Sequence, residues 1–124
     1  MVMNLLRTKI LLPSLRTDLV ARPRLSRRLD EALLPGLRLV LLCAPAGFGK
    51  TTLLANWLSH GPQHACWLSL DAADNSPARF LSYVIAALQQ AIPDIGRDLV
   101  GPLRLGEPPS PEAVISHLVN ELTL

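Results

Sequence analysis

Leu39-Val40-Leu41-Leu42-Cys43-Ala44-Pro45-Ala46-Gly47-Phe48-Gly49-Lys50-Thr51-Thr52 decides the fold reading: an apolar run, a tight loop of small residues, and Gly-Lys-Thr-Thr opening into the helical pattern Leu53-Leu54-Ala55-Asn56-Trp57-Leu58. Strand, phosphate loop and helix in that order are the signature of a nucleotide-binding P-loop. Amides left unpaired at a helix start, together with the helix dipole, favour a polyphosphate there. Gly47 and Gly49 permit the dihedrals and the close backbone approach that such a loop needs. Lys50 is placed to reach the β- and γ-phosphates of ATP or GTP, and the Thr51 hydroxyl to ligate a magnesium ion (Mg2+) bridging them. Thr52 supports the first helical turn. The position at which the motif carries its first glycine is Ala44, which suits the loop if its φ stays negative. Ala46 and Phe48 complete the expected cradle.

Working outward, Pro23 at a first turn and Pro35-Gly36 as a stop frame a helix at about 23–34. The apolar run 37–43 reads as a central parallel strand covered on both faces. A helix at about 50–59 ends at Gly61-Pro62, and a second strand is expected at about 64–70. The polar stretch from Asp71 to Pro77 leads into a helix at about 77–92, with Phe80, Leu81, Val84, Ile85 and Leu88 at helical spacing. One of Asp74, Asn75 and Ser76 is expected to cap it, the alternative for Asp71 and Asp74 being a place near the γ-phosphate. The Pro- and Gly-rich segment 93–110 reads as a loop, and Ser110 as the N-cap of a last helix through Val114, Ile115, Leu118 and Val119. Residues 1–22 read as an N-terminal arm, and 23–124 as the N-terminal portion of a P-loop domain with the Walker A loop and without the acidic Walker B strand. The predicted fold class is therefore α/β: an incomplete three-layer α/β/α P-loop NTPase fold with parallel strands. Two strands cannot satisfy each other's backbone groups on every edge, so unpaired sheet edges offer a route to self-association.

Composition narrows the function classes. With 49% hydrophobic and 18% charged residues among 124, the chain has material for a core, and disorder is excluded as a general state. No apolar run reaches the length of a membrane span, so no membrane association and a cytoplasmic location are expected. Cys43 and Cys66 lie in strand-like apolar runs without paired spacing, and are expected to be buried free thiols. Trp57 and Trp67 are expected in the core. His60, His64 and His117 share no metal-ligand spacing. Net charge is +2, split into nine Lys and Arg against three Asp and Glu in residues 1–60, and three against seven in 61–124. The arginines at 22, 24, 27 and 28 fit the solvated side of the first helix or the lining of a phosphate-binding site, so no direct DNA contact is expected.

Four segments in order, Leu6-Arg7-Thr8-Lys9, Asp18 to Leu25, Ala44 to Thr52 and Trp67 to Phe80, resemble the N-terminal end of the MalT-like large ATP-binding LuxR-type transcriptional regulators, which are STAND-class P-loop ATPases. The resemblance covers essentially the whole chain. It implies that Arg22 lies in a motif flanking the adenine, that Gly47, Gly49, Lys50 and Thr51 hold phosphates and magnesium, and that Asp71, Asp74 and Asn75 sit in a signature loop. Alanine at position 44 is acceptable in that family. Family members are much longer and carry sensor and DNA-binding regions, so the resemblance implies a fragment whose transferable property is ATP binding, without catalytic competence. The alternative is a small phosphotransferase using Asp71 as general base or magnesium ligand.

Overall fold

The computed structural model describes residues 5–14, 20–36, 39–61, 64–107 and 109–123. Five helices are present among them: α1 (Pro23–Asp30), α2 (Lys50–His60), α3 (Pro77–Leu88), α4 (Arg97–Arg104) and α5 (Pro111–Leu122). Short 3-10 turns occur at Arg7–Lys9, Glu31–Leu33 and Ala72–Asn75. The chain divides into two compact units, one made of Met1–Leu11 with Cys66–Leu124, the other of Leu12–Ala65. The second is thus spliced into the first along the sequence.

The expected parallel sheet is not formed, and this corrects the α/β reading. Among the described residues there is no strand at all: 39–45 and 64–70 carry no ladder, and positions 37–38 of the first expected strand lie outside the described residues. A strand exists only as a partner's partner, because its N–H and C=O groups point sideways out of the segment and must be met there. The apolar run supplies no such partner by itself. Leu39, Val40 and Leu41 are exposed, and Cys43 and Cys66 are exposed free thiols where buried ones were expected. Residues 64–70 make one long-range backbone bond, from the Ser69 amide to the Lys9 carbonyl at 2.7 Å.

The unit formed by 5–11 and 66–123 is a helical packing of α3, α4 and α5. Leu81 and Ile85 from α3, Leu99 and Leu103 from α4, Val114 and Leu118 from α5, and Ile95 between α3 and α4 form one buried cluster. The spacings i and i+4 put each pair on one helix face. Burial of each such side chain stabilises the fold by roughly 1.5–3 kcal/mol. Ser110 caps α5 as expected, its Oγ accepting from the Ala113 amide at 3.2 Å. Ser76 occupies the N-cap position of α3 but its side chain makes no cap bond. Asp71 and Asp74 cap the preceding 3-10 turn instead: Asp71 Oδ1 accepts from the Ala73 amide at 2.8 Å, and Asp74 Oδ2 from the Asp71 amide at 2.9 Å.

Helix α4 lies inside the segment expected to be a loop. Pro102 removes one backbone donor within it, yet Leu99 and Leu103 are both buried, and that burial outweighs one lost hydrogen bond. Gly96 opens α4 at φ +64°, where a Cβ would meet Ile85 Cγ2 at 3.0 Å and Leu118 Cδ2 at 3.3 Å. Its amide donates to Glu121 Oε2 at 2.7 Å.

The unit 12–65 contains α1, the Glu31–Leu33 turn and α2. Leu29 and Ala55 are its buried apolar residues among those described. Trp57 is half-buried where a core position was expected, and its Nε1 donates to Asp30 Oδ1 at 2.8 Å. Trp67 in the other unit is likewise half-buried. None of the described helices is long and apolar enough to cross a membrane.

Candidate functional site

The loop ahead of α2 has the local geometry that its sequence requires. Gly47 and Gly49 sit at φ +86° and +81°, in left-handed territory that costs a side-chain-bearing residue about 1–2 kcal/mol. No described residue other than glycine has positive φ, so Ala44 stays in the ordinary region and its missing glycine is no obstacle. The Phe48 amide donates to the Pro45 carbonyl at 3.3 Å, closing a turn. The first helical bond runs from the Leu53 amide to the Gly49 carbonyl at 2.9 Å. The amides of Lys50, Thr51 and Thr52 therefore precede the hydrogen-bonded ladder, at the positive end of the helix. Residues 45–49, Thr51 and Thr52 are exposed.

Lys50 is half-buried and its Nζ donates to the Ala44 carbonyl, folding the ammonium across the mouth of the loop. An ammonium turned back onto the loop's backbone can donate to a phosphate oxygen in place of that carbonyl. Arg22 lies in the same unit, exposed, at the N-cap of α1. Among the described residues no hydrogen bond or ion pair joins it to the loop. The structure thus brings 44–49 and the first turn of α2 together and, among the described residues, leaves Arg22 apart from them in bonding terms.

A second polar constellation lies within the other unit, and sequence reading did not single out its central residue. Lys9, from the 3-10 turn at Arg7–Lys9, is buried. Its Nζ donates to Asp71 Oδ2 at 3.1 Å and to Asp74 Oδ2. Arg79 Nε donates to Asp74 Oδ1 at 3.2 Å. The Lys9 ammonium lies 4.9 Å from the centre of the Tyr83 ring, with the Arg79 guanidinium carbon at 5.6 Å. Tyr83 is fully buried, and its hydroxyl accepts from the Leu6 amide at 3.0 Å.

Lys9 and Asp74 satisfy each other away from water beside the Tyr83 ring, while Arg79 is partly exposed and Asp71 mostly so. The Lys9 bond holds the Asp74 carboxyl down to about 2, helped by the Asp71 amide and by Arg79. Asp71 is lowered for the same first reason, its bond from Lys9, and Lys9 is raised by its bond to Asp74. The available signals were the Thr8-Lys9 placement in an apolar segment and the Asp71-x-x-Asp74 spacing, but neither says that the two meet.

No family profile matches the chain. Against curated proteins, the chain is similar to the HTH-type transcriptional regulator MalT of Cronobacter sakazakii (strain ATCC BAA-894), with 50% identity over 72 residues, 58% of this chain and 8% of that protein. The proteins of the same description from Klebsiella pneumoniae, strain 342 and strain MGH 78578, match at the same identity and coverage. Over that stretch the chain is MalT-like. It spans 8% of the length of the curated relatives it matches.

Proposed function

We propose that this MalT-like chain binds ATP through the loop 44–52, as the nucleotide-handling segment of a transcriptional regulator. The observation that carries the reading is the loop itself: two glycines at positive φ ending on a helix start, with the Lys50 ammonium already turned into the loop. The amides around Ala46, Gly47, Phe48 and Gly49, and those of Lys50, Thr51 and Thr52, would take the phosphate oxygens. Lys50 would neutralise the terminal phosphates, and Thr51 would present its hydroxyl to Mg2+. Arg22 would act at the nucleotide's base end, as the family resemblance implies. The magnesium ion would supply charge neutralisation across the phosphates.

Calorimetric titration of the 124-residue chain with ATP and Mg2+ tests this. Lys50→Ala should weaken binding about 10- to 100-fold, from a charge-assisted bond of about 1.5–3 kcal/mol. Equal affinity in the two proteins would sink the reading. The phosphotransferase alternative draws no support from Asp71, whose carboxylate is engaged by Lys9 and by the Ala73 amide. Asp71→Asn should accordingly not weaken ATP binding as Lys50→Ala does.

A further inference from the structure

Lys9 and Ser69 stand on either side of the inserted unit in sequence. Residues 12–65 leave the helical unit after Leu11 and rejoin it at Cys66. At that junction the Lys9 carbonyl accepts from the Ser69 amide at 2.7 Å. The Lys9 ammonium is bonded to Asp71 and Asp74, and the Leu6 amide to the Tyr83 hydroxyl. Four bonds thus fasten residues 6–9 to residues 69–83.

We propose that the Lys9–Asp71–Asp74 cluster is a non-covalent clip that ties the two ends of the 12–65 segment together and stabilises the phosphate-loop unit through loop closure. The inserted unit has little of its own to hold it, since Leu29 and Ala55 are its buried apolar residues among those described. A unit with so thin a core gains proportionately from having its unfolded state restricted. Joining the ends of a chain removes conformational freedom from the unfolded state, as a cross-link does, and the gain grows with loop length. The clip therefore acts through chain connectivity: opening it removes the closure, and α2 with the loop ahead of it opens more often. Charge is the means of fastening. Lys9 has side-chain exposure of 9% and Asp74 of 2%, so neither retains a full water shell if its partner is lost. Arg79 and Tyr83 of α3 complete the set of groups facing Lys9 and Asp74. Arg79 contacts the cluster without bridging the two ends, so its removal separates loss of the clip from loss of charge balance.

Native-state hydrogen exchange on the whole chain, without nucleotide, tests the proposal independently of the phosphate-binding reading. In Lys9→Met, the amides of Leu6 and Ser69 should lose protection, and those of Leu54 to Trp57 in α2 should exchange roughly 10-fold faster or more, below a loop-closure ceiling of roughly a few hundredfold. The amides of Ile85 and Leu118 should keep wild-type rates. Asp71→Asn, at the exposed edge of the cluster, should give a smaller change of the same pattern, and Arg79→Gln should leave α2 as in wild type. Unchanged α2 exchange in Lys9→Met would overturn the proposal. So would loss of protection at Ile85 and Leu118 in both Lys9→Met and Asp71→Asn, or an Arg79→Gln effect on α2 equal to that of Lys9→Met.

Discussion

The helical unit of 5–11 and 66–123 and the inserted unit of 12–65 solve the same problem with very different means. The first buries Leu81, Ile85, Ile95, Leu99, Leu103, Val114 and Leu118 in one cluster and satisfies an internal lysine with two carboxylates. The second exposes Leu33, Leu34, Leu39, Val40, Leu41 and Phe48, and buries Leu29 and Ala55. Its composition is almost as apolar. What differs is whether the apolar residues find a face to pack on, because helices α3, α4 and α5 bring complementary stripes and the run 39–43 brings edges that need another strand. The lesson is that helices carry their own hydrogen bonds into a packing, so three of them suffice, whereas a strand's backbone is incomplete alone.

The largest test of this contrast is cavity formation. Leu103→Ala, at a position 1% exposed, should destabilise the helical unit by about 2–5 kcal/mol in urea unfolding, with Leu29→Ala, at 7%, costing less because its surroundings are looser. Equal losses at the two positions would show that the inserted unit is as tightly packed as the other. Next in size is the cost of closing Gly96. Gly96→Ala should destabilise by about 1–3 kcal/mol, since the residue is left-handed and the new Cβ would press on Ile85 and Leu118. A melting temperature equal to wild type would show that α4 can shift to make room.

Ser110→Ala should cost about 1 kcal/mol through the lost cap on α5, readable as a lower urea midpoint with unchanged slope. The pH dependence sharpens the comparison without a change of sequence. Asp74 is lowered from 3.8 to about 2 by its partners, so its contribution is complete above 3.8 and is lost as pH falls toward 2. Lys9 is raised above 10.5, so its contribution is complete below 10.5 and fades at higher pH as its folded value is passed. Carboxyl NMR titration of Asp74 in the folded chain should show the low midpoint, with Lys9, Asp71, Arg79 and Tyr83 as the groups facing it. An ordinary carboxylate midpoint there would mean that the cluster is open in solution.

Much of the helical unit was legible. The spacing of Leu81, Ile85 and Leu88 and the Ser110-Pro111 start state a helix locally, because 3.6-residue periodicity and capping are properties of nearby residues. The turn ahead of α2 was legible for the same reason, as Gly47 and Gly49 permit the positive φ that they adopt there. Helix α4 was hidden by Gly96, Gly101 and Pro102, whose local preference against helix is overcome only when Leu99 and Leu103 meet α3 and α5. The expected strands failed for the opposite cause: 39–43 and 64–70 have the apolar content of strands, but pairing depends on segments distant in sequence.

By itself, then, the sequence determined the helix starts, the apolar faces of α3 and α5, and the left-handed turns of the loop ahead of α2, all of which arise from interactions within a few residues. Tertiary structure alone decided that Lys9 is buried between Asp71 and Asp74, that the Lys9 carbonyl takes the Ser69 amide, and that Cys43 and Cys66 face solvent. Those outcomes turn on which distant groups come within 3 Å of each other. Hydrophobicity and spacing bear on whether a segment wants a partner; only the folded chain specifies the partner, because desolvation and pairing are settled at the point of contact.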